Sequence, residues 1–96
     1  MPRPKKPRRI AFRAIATYFK PRGIPLRLLD EVTLLPEEVE AIRLRYRENL
    51  EQIACAKKMK VSQPTFQRIL SSAHKKIASA IVQGKAIRIE EKDGDR

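Results

Sequence analysis

The apolar residues in the C-terminal half of the chain recur with helical spacing. Positions three and four residues apart carry Phe66, Ile69, Leu70, Ala73, Ile77 and Ile81. This spacing is typical of a helix with one buried face. Ser62 stands where a helix N-cap belongs, and Gly84 where a C-cap belongs. The pattern therefore predicts a long helix over residues 63–82.

A second helix is predicted to begin at Pro36. Proline is favoured at the first helical position, and Glu37 and Glu38 suit the positive end of the helix dipole. Val39, Ile42, Leu44 and Tyr46 give an approximate apolar stripe. These signals predict a helix over residues 36–48.

A third, shorter helix is predicted between these two. Asn49 is a credible N-cap, and Gln52 three residues later would complete a capping box. The helix is predicted over residues 50–59. Lys60 and Val61 then form a tight turn before the long helix.

Two short segments alternate between apolar and polar residues, at 9–14 and at 85–90. Such alternation predicts strands, and because neither would be stable as a sheet alone, they are candidates to pair with each other. Residues 18–23 are interpreted as a strand end and turn, and residues 24–33 are ambiguous. The predicted fold class is mainly α, a helix-turn-helix core with a small β element formed by the chain ends.

The length of 96 residues predicts a single domain. Residues 1–8 hold three prolines and four cations and predict a disordered or extended basic arm. Residues 9–90 form the predicted domain, and residues 91–96 a polar tail. No apolar run approaches the length of a membrane span and no signal peptide is recognised, so the expected compartment is the cytoplasm.

The charge of the chain indicates a polyanionic partner. There are 22 Lys and Arg residues against 11 Asp and Glu, a formal net charge of +11. Two basic blocks, 1–29 and 51–84, flank an acidic segment at 30–50. Nucleic acid is the first expectation and an anionic membrane surface the second. Solvated basic tails are the alternative.

Residues 55–69 have the pattern of a helix-turn-helix. Ala56 is the small residue where two helices would cross. The positions that must be buried carry Cys55, Met59, Val61, Phe66 and Ile69. Lys60 occupies the turn, where glycine is usual, at a cost of about 1 kcal/mol if the left-handed conformation is kept. A generic pair of antiparallel helices is the alternative.

A helix-turn-helix would place the first two turns of the long helix in the major groove of DNA. Gln67 can pair with adenine and Arg68 with guanine, while Gln63 and Pro64 could also touch base edges. The expected phosphate contacts are Arg3, Lys5, Lys6, Arg8 and Arg9 in the arm, and Lys57, Lys58, Lys60, Ser62, Thr65 and Ser71 near the turn. The alternative for the base-contacting set is a solvated helix face.

The chain resembles a prokaryotic group of small proteins, domain of unknown function 134, described as predicted DNA-binding proteins. The resemblance covers about Pro7 to Ile89. It rests on Arg8-Arg9-Ile10, Thr17-Tyr18-Phe19-Lys20-Pro21, Gly23-Ile24-Pro25-Leu26, Glu37-Glu38, Glu40-Ala41, Arg43-Leu44, Val61-Ser62, Thr65-Phe66, Arg68-Ile69-Leu70, Gly84-Lys85-Ala86 and Arg88-Ile89. The helix-turn-helix is in turn similar to region 4 of bacterial sigma factors, so the resemblance implies DNA binding.

This chain departs from the group at three places. The turn carries Lys60 rather than glycine or asparagine, and the long helix begins Ser62-Gln63-Pro64 rather than Ser-Arg-Gln. Ile53 stands where a charged residue is usual. Because Gln63 replaces the arginine that the group carries there, the DNA sequence that the group would bind does not transfer directly to this chain.

Few residues suggest metal or catalytic chemistry. Cys55 and His74 are the only soft metal ligands, and a zinc site needs four ligands, so no metal and no cofactor are expected. Cys55 is expected to be a packed thiol, and His74 to be exposed with phosphate contact as an alternative. No nucleophile–base pair is recognised, so the protein is not expected to be an enzyme.

The acidic and aromatic residues have two interpretations each. Glu37, Glu38 and Glu40 are expected to stabilise a helix end rather than to catalyse. Tyr18 and Phe19 are interpreted as core residues, with stacking on unpaired bases as the alternative.

The leading functional prediction is a sequence-specific transcriptional regulator that binds double-stranded DNA. The alternatives are a nonspecific architectural or RNA-binding protein, and a module that docks on RNA polymerase through the acidic helix 36–48. A homodimer would read paired half-sites.

Overall fold

Two strands precede the helices and a third follows them in a computed structural model that describes residue 10 and residues 17–91. The strands are β1 (Tyr18–Phe19), β2 (Glu31–Leu34) and β3 (Ala86–Ile89). The α-helices are α1 (Pro36–Ile42), α2 (Gln52–Met59) and α3 (Gln63–Gln83), and a π-helical segment (Arg43–Arg47) continues α1. A 3-10 turn spans Leu26–Leu28. The described fold is mainly helical with a small sheet.

The sheet has three strands in the order β1-β3-β2. β1 is antiparallel to β3, with Tyr18 opposite Arg88, and β2 is parallel to β3, with Val32 opposite Ile87. Parallel neighbours need a long crossover connection, and here α1, α2 and α3 provide it. All three α-helices therefore lie between β2 and β3 along the chain.

The predicted strand at 85–90 is confirmed as β3, which spans Ala86–Ile89. The other strands of the sheet differ from the prediction. The chain ends do not form the sheet alone, because β2 comes from the segment that the sequence left ambiguous. Its four residues alternate between polar and apolar, but so short a run does not identify a strand, and pairing along β3 is what makes it one. Of the predicted strand 9–14, Ile10 is not in a strand, and the other residues lie outside the described part of the chain.

Helix α1 begins where the sequence predicts. Pro36 is its first residue, and the Glu38 carboxylate accepts a hydrogen bond of 2.8 Å from the backbone N–H of Leu35. After Ile42 the backbone widens into the π-helical segment, where the N–H of Glu48 donates to the carbonyl of Arg43 at 2.9 Å. The predicted helix 36–48 is thus two successive helical geometries.

The predicted N-cap of α2 is wrong. Asn49 has a φ of 61°, and it ends the π-helical segment instead of starting α2. The N-cap is Glu51, which makes no side-chain capping bond. Asparagine tolerates the left-handed region better than most residues, so the same residue type can end one helix as readily as it caps another.

The turn between α2 and α3 follows the prediction. Lys60 adopts the left-handed conformation with φ 59° and ψ 44°. The N–H of Val61 donates to the carbonyl of Ala56 at 3.0 Å, and the N–H of Thr65 donates to Ser62 Oγ at 3.2 Å. Gly84 ends α3 with φ 67°. Both predicted caps of α3 are confirmed.

The main core lies between the three helices. Its buried residues are Ala41, Leu44, Cys55, Ala56, Met59, Phe66, Ile69 and Leu70, and Val61 is partly buried against them. Every position that the helix-turn-helix pattern required to be inside is therefore buried or partly buried. Ile81 and Tyr46, which the apolar spacing placed on buried faces, are instead 73% and 56% exposed, because the core between the three helices does not extend to either of them. Within the described ranges no helix is both long enough and apolar enough to cross a membrane.

Candidate nucleic-acid interface

One face of α3 is polar and open to solvent over its first three turns. The exposed residues on it are Gln63, Pro64, Gln67, Arg68 and Ser71. They are three, four and eight residues apart, so they lie on one side of the helix. The opposite side carries Phe66, Ile69, Leu70 and Ala73, all buried. The core thus fixes which side of α3 faces outward.

The first turn of α3 holds a small hydrogen-bonded cluster. Ser62 Oγ donates to Thr65 Oγ1 at 3.0 Å, and the Arg68 guanidinium donates to the same Thr65 oxygen at 3.3 Å. Thr65 is half-buried, whereas Ser62 and Arg68 are exposed. Because Arg68 is held by one nitrogen only, its remaining donors face solvent.

Three lysines surround the N-terminal end of α3. Lys57 and Lys58 are exposed in the last turn of α2, and Lys60 is exposed in the connecting turn. The N-terminus of a helix also carries a partial positive charge and free N–H groups. The lysines and the helix dipole therefore both make the N-terminal end of α3 electrically positive. The predicted arm contacts Arg3, Lys5, Lys6, Arg8 and Arg9 lie outside the described residues.

A contact that sequence reasoning missed lies at the other end of the polar face. Tyr46, in the π-helical segment, has its Oη 3.0 Å from Nε2 of His74 on α3. The two ring centroids are 5.6 Å apart, and the Arg45 guanidinium lies 5.7 Å from the Tyr46 ring centroid. No spacing rule links residues 46 and 74, because the contact depends on how the π-helical segment packs beside α3.

Two of the three acidic residues of α1 are buried. Glu38 and Glu40 are each 3% exposed. Glu38 accepts hydrogen bonds from Ser72 Oγ at 2.6 Å and Lys76 Nζ at 2.9 Å. The expected role at a helix end is correct for Glu38, and its bonds to α3 were not anticipated. An acidic docking face on this helix would lack these two carboxylates.

Glu40 is bound by an arginine of the π-helical segment. The Arg43 guanidinium donates to both Glu40 oxygens, at 3.1 and 3.0 Å. This hydrogen bonding raises the pKa of Arg43, with desolvation acting in the opposite direction. Glu48 binds the same guanidinium at 3.1 Å. One guanidinium thereby binds two carboxylates of the acidic segment.

Cys55 is the packed thiol that the sequence predicts. It is fully buried, and its Sγ lies 3.6 Å from the carbonyl oxygen of Leu50. Burial raises the pKa of the thiol, which disfavours the reactive thiolate. Across residues 17–91, no three His, Cys, Asp or Glu side chains are grouped as a metal site would require.

The aromatic pair of β1 departs from its core interpretation. Tyr18 is 41% exposed and Phe19 is 54% exposed. Lys20 beside them is exposed too, and its Nζ donates to the carbonyls of Pro21 at 3.1 Å and Ile24 at 2.7 Å. Lysine at this position therefore fixes the turn after β1.

Fold and surface together define a small basic domain, mainly helical, with a three-stranded sheet and a polar helix face. The chain belongs to the family described as "Protein of unknown function DUF134", which it matches over residues 1–95.

Similar proteins carry only a family label. A UPF0251 protein of Moorella thermoacetica is 59% identical over 90 residues, which are 94% of this chain and 60% of that protein. A UPF0251 protein of Caldanaerobacter subterraneus is 60% identical over 90 residues, covering 76% of its length. The chain thus spans three fifths to about three quarters of these relatives. No solved structure matches it.

Proposed function

We propose that this protein binds double-stranded DNA as a sequence-specific transcriptional regulator. In this proposal α2, the turn at Lys60 and α3 act as a helix-turn-helix similar to region 4 of bacterial sigma factors. The first turns of α3 enter the major groove.

The observation that carries the proposal is the pairing of exposed Gln67 and Arg68 on one rigid helix face. A glutamine amide can bond adenine at two atoms, and an arginine guanidinium can bond guanine at two atoms. The buried side of the helix, with Phe66 fully buried, holds these side chains on a fixed support. Gln63 and Pro64 would contact neighbouring base edges.

The surrounding charge supports binding to a polyanion. The net charge is +11, and each phosphate neutralised by a cation releases condensed counterions. Lys57, Lys58 and Lys60 would contact phosphates at the start of α3. Ser62, Thr65 and Ser71 would add hydrogen bonds there, and the arm residues a further electrostatic contribution.

The turn geometry supports the choice of a helix-turn-helix over a generic helical hairpin. A left-handed residue at the turn is the conformation that glycine usually provides. Here Lys60 adopts it despite its side chain, with φ 59°. Ser62 then caps α3 through the Thr65 N–H.

Selection from a random duplex DNA pool near physiological salt, followed by sequencing, tests the proposal. We expect one enriched motif, and a two-fold symmetric motif would indicate a homodimer. Binding with no enriched motif would reject sequence-specific regulation.

An RNA-binding or architectural role is the second candidate, favoured by the exposure of Tyr18 and Phe19. Bases stack on exposed aromatic rings in single-strand binding proteins. This role predicts that single-stranded RNA competes as well as duplex DNA, and that Tyr18→Ala weakens the competition. The regulator predicts that duplex DNA of the selected sequence is preferred.

A further inference from the structure

We propose that Tyr46 and His74 form a contact site for a DNA backbone phosphate at the far end of the polar face of α3. The site rests on the proposed function, because it requires α3 to lie in the major groove. It adds a contact from the π-helical segment. This contact lies at the other end of the polar face from the lysines that surround the start of α3.

The position of His74 along α3 suits a backbone contact. His74 follows Gln67 by seven residues, which is about 10 Å along a helix. The major groove is about 12 Å wide. A helix that reads bases from Gln67 therefore brings residue 74 close to the groove edge, where the phosphates lie. Lys60 occupies the corresponding place before the first turn.

The Tyr46 hydroxyl, held by His74, is placed to donate to an anion. Tyr46 is 56% exposed, and its Oη is 3.0 Å from His74 Nε2. When Nε2 carries its proton, it donates to Oη, and the hydroxyl hydrogen is free to donate outward. A phosphate oxygen can accept that hydrogen bond. Each ring fixes the other, so little side-chain freedom is lost on binding.

The local charge is positive. Arg45 lies against the Tyr46 ring and donates to the carbonyl of Leu50 at 3.3 Å, and Arg47 is exposed beside it. The nearby acid Glu48 is bound by Arg43. A phosphodiester, with one negative charge and several acceptor oxygens, suits this surface.

Tyr46 lies in a segment of π-helical geometry. A π turn holds more residues than an α turn, and such turns are frequent at functional sites. Here it follows Ile42 and precedes the left-handed Asn49. Tyr46 of this segment lies against His74 of α3.

The decisive variant is Tyr46→Phe, which removes only the hydroxyl group. Ser79→Ala is the control, because it removes a hydroxyl group from α3 for which we propose no contact with nucleic acid. Affinity is measured on the selected duplex and on a scrambled duplex. The selected duplex is then remade with single methylphosphonate linkages, each of which neutralises one phosphate.

We expect Tyr46→Phe to lower affinity about 3- to 10-fold on both duplexes and to leave the selected motif unchanged. His74→Ala should show the same loss. One methylphosphonate should weaken the native protein but have little further effect on Tyr46→Phe. A merely structural role for Tyr46 would not single out one phosphate.

Three results overturn the site. Tyr46→Phe could bind like the native protein, its loss could be the same at every methylphosphonate position, or it could change the selected motif. Failure of the native protein to bind any duplex is a different outcome, because it rejects the proposed function itself. Thermal melting followed by circular dichroism checks that each variant is folded.

Discussion

Lys76 Nζ lies 2.9 Å from Glu38 Oε1, and this ion pair joins α3 to the first turn of α1. The same ammonium donates to the carbonyl of Thr33 in β2 at 2.7 Å. One side chain thus connects the sheet, α1 and the helix that we propose reads DNA. Because Glu38 is almost fully buried, its charge needs these partners.

Removing that ammonium should destabilise the fold. Lys76→Met leaves the Glu38 carboxylate with only Ser72 and the Leu35 N–H as partners. A fully buried pair broken on one side costs about 3–5 kcal/mol. The Lys76 side chain is 30% exposed, so we expect a smaller loss of about 2 kcal/mol in the free energy of unfolding.

Urea denaturation measures this loss. Lys75→Met is the matched control, since Lys75 is the exposed neighbour on the same helix and should change stability by less than about 0.5 kcal/mol. Equal stability of the two variants would contradict a stabilising role for the pair.

Replacing the left-handed lysine should separate stability from DNA binding. Lys60→Gly relieves the strain of a side chain at φ 59°, and we expect a gain of about 1 kcal/mol in the free energy of unfolding. The same change removes a proposed phosphate contact, so affinity for all duplexes should fall. Denaturation and titration at several salt concentrations measure the two effects.

Asn49→Gly provides the control for this prediction. Asn49 has a similar φ of 61°, but asparagine is less strained there, and we propose no DNA contact for it. The gain in stability should be smaller, and affinity should not change. A Lys60→Gly variant that binds as tightly as the native protein would remove Lys60 from the interface.

The buried thiol should make stability depend on alkaline pH. Burial raises the pKa of Cys55, so the folded protein holds this proton more tightly than the unfolded chain does. The resulting stabilisation is complete below the ordinary thiol value of about 8.5 and is lost as pH rises through the raised pKa.

The comparison with Cys55→Ala isolates this effect. The variant should be less stable than the native protein at neutral pH because it leaves a cavity. The difference in free energy of unfolding should shrink above about pH 9, since only the native chain loses a thiol proton on unfolding. A difference that is constant with pH would show that the thiol does not titrate on unfolding.

Arg68→Ala should alter sequence preference. If the guanidinium bonds a guanine, the variant loses about 1–3 kcal/mol of discrimination at one base position. Repeating the duplex selection measures this loss. Arg27→Ala, an exposed arginine in the 3-10 turn, should leave the motif intact. An unchanged motif with Arg68→Ala would place that side chain on the backbone or in solvent.

The sequence by itself determined α3 and its buried side. The spacing of Phe66, Ile69, Leu70 and Ala73 identified the buried side of α3, and Ser62 and Gly84 identified its ends. These features depend on neighbours within about one turn of helix, so local patterns suffice. The exposed set on α3 followed as the complement of the buried one.

Only the tertiary structure decided the strand β2, the role of Asn49 and the contacts of Glu38 and Tyr46. Each depends on a partner far along the chain: β3 for β2, Lys76 for Glu38 and His74 for Tyr46. Pairing and packing at long range leave no periodic trace in the sequence, because either partner alone is compatible with many environments. The backbone geometry at Asn49 is likewise set by how the π-helical segment ends.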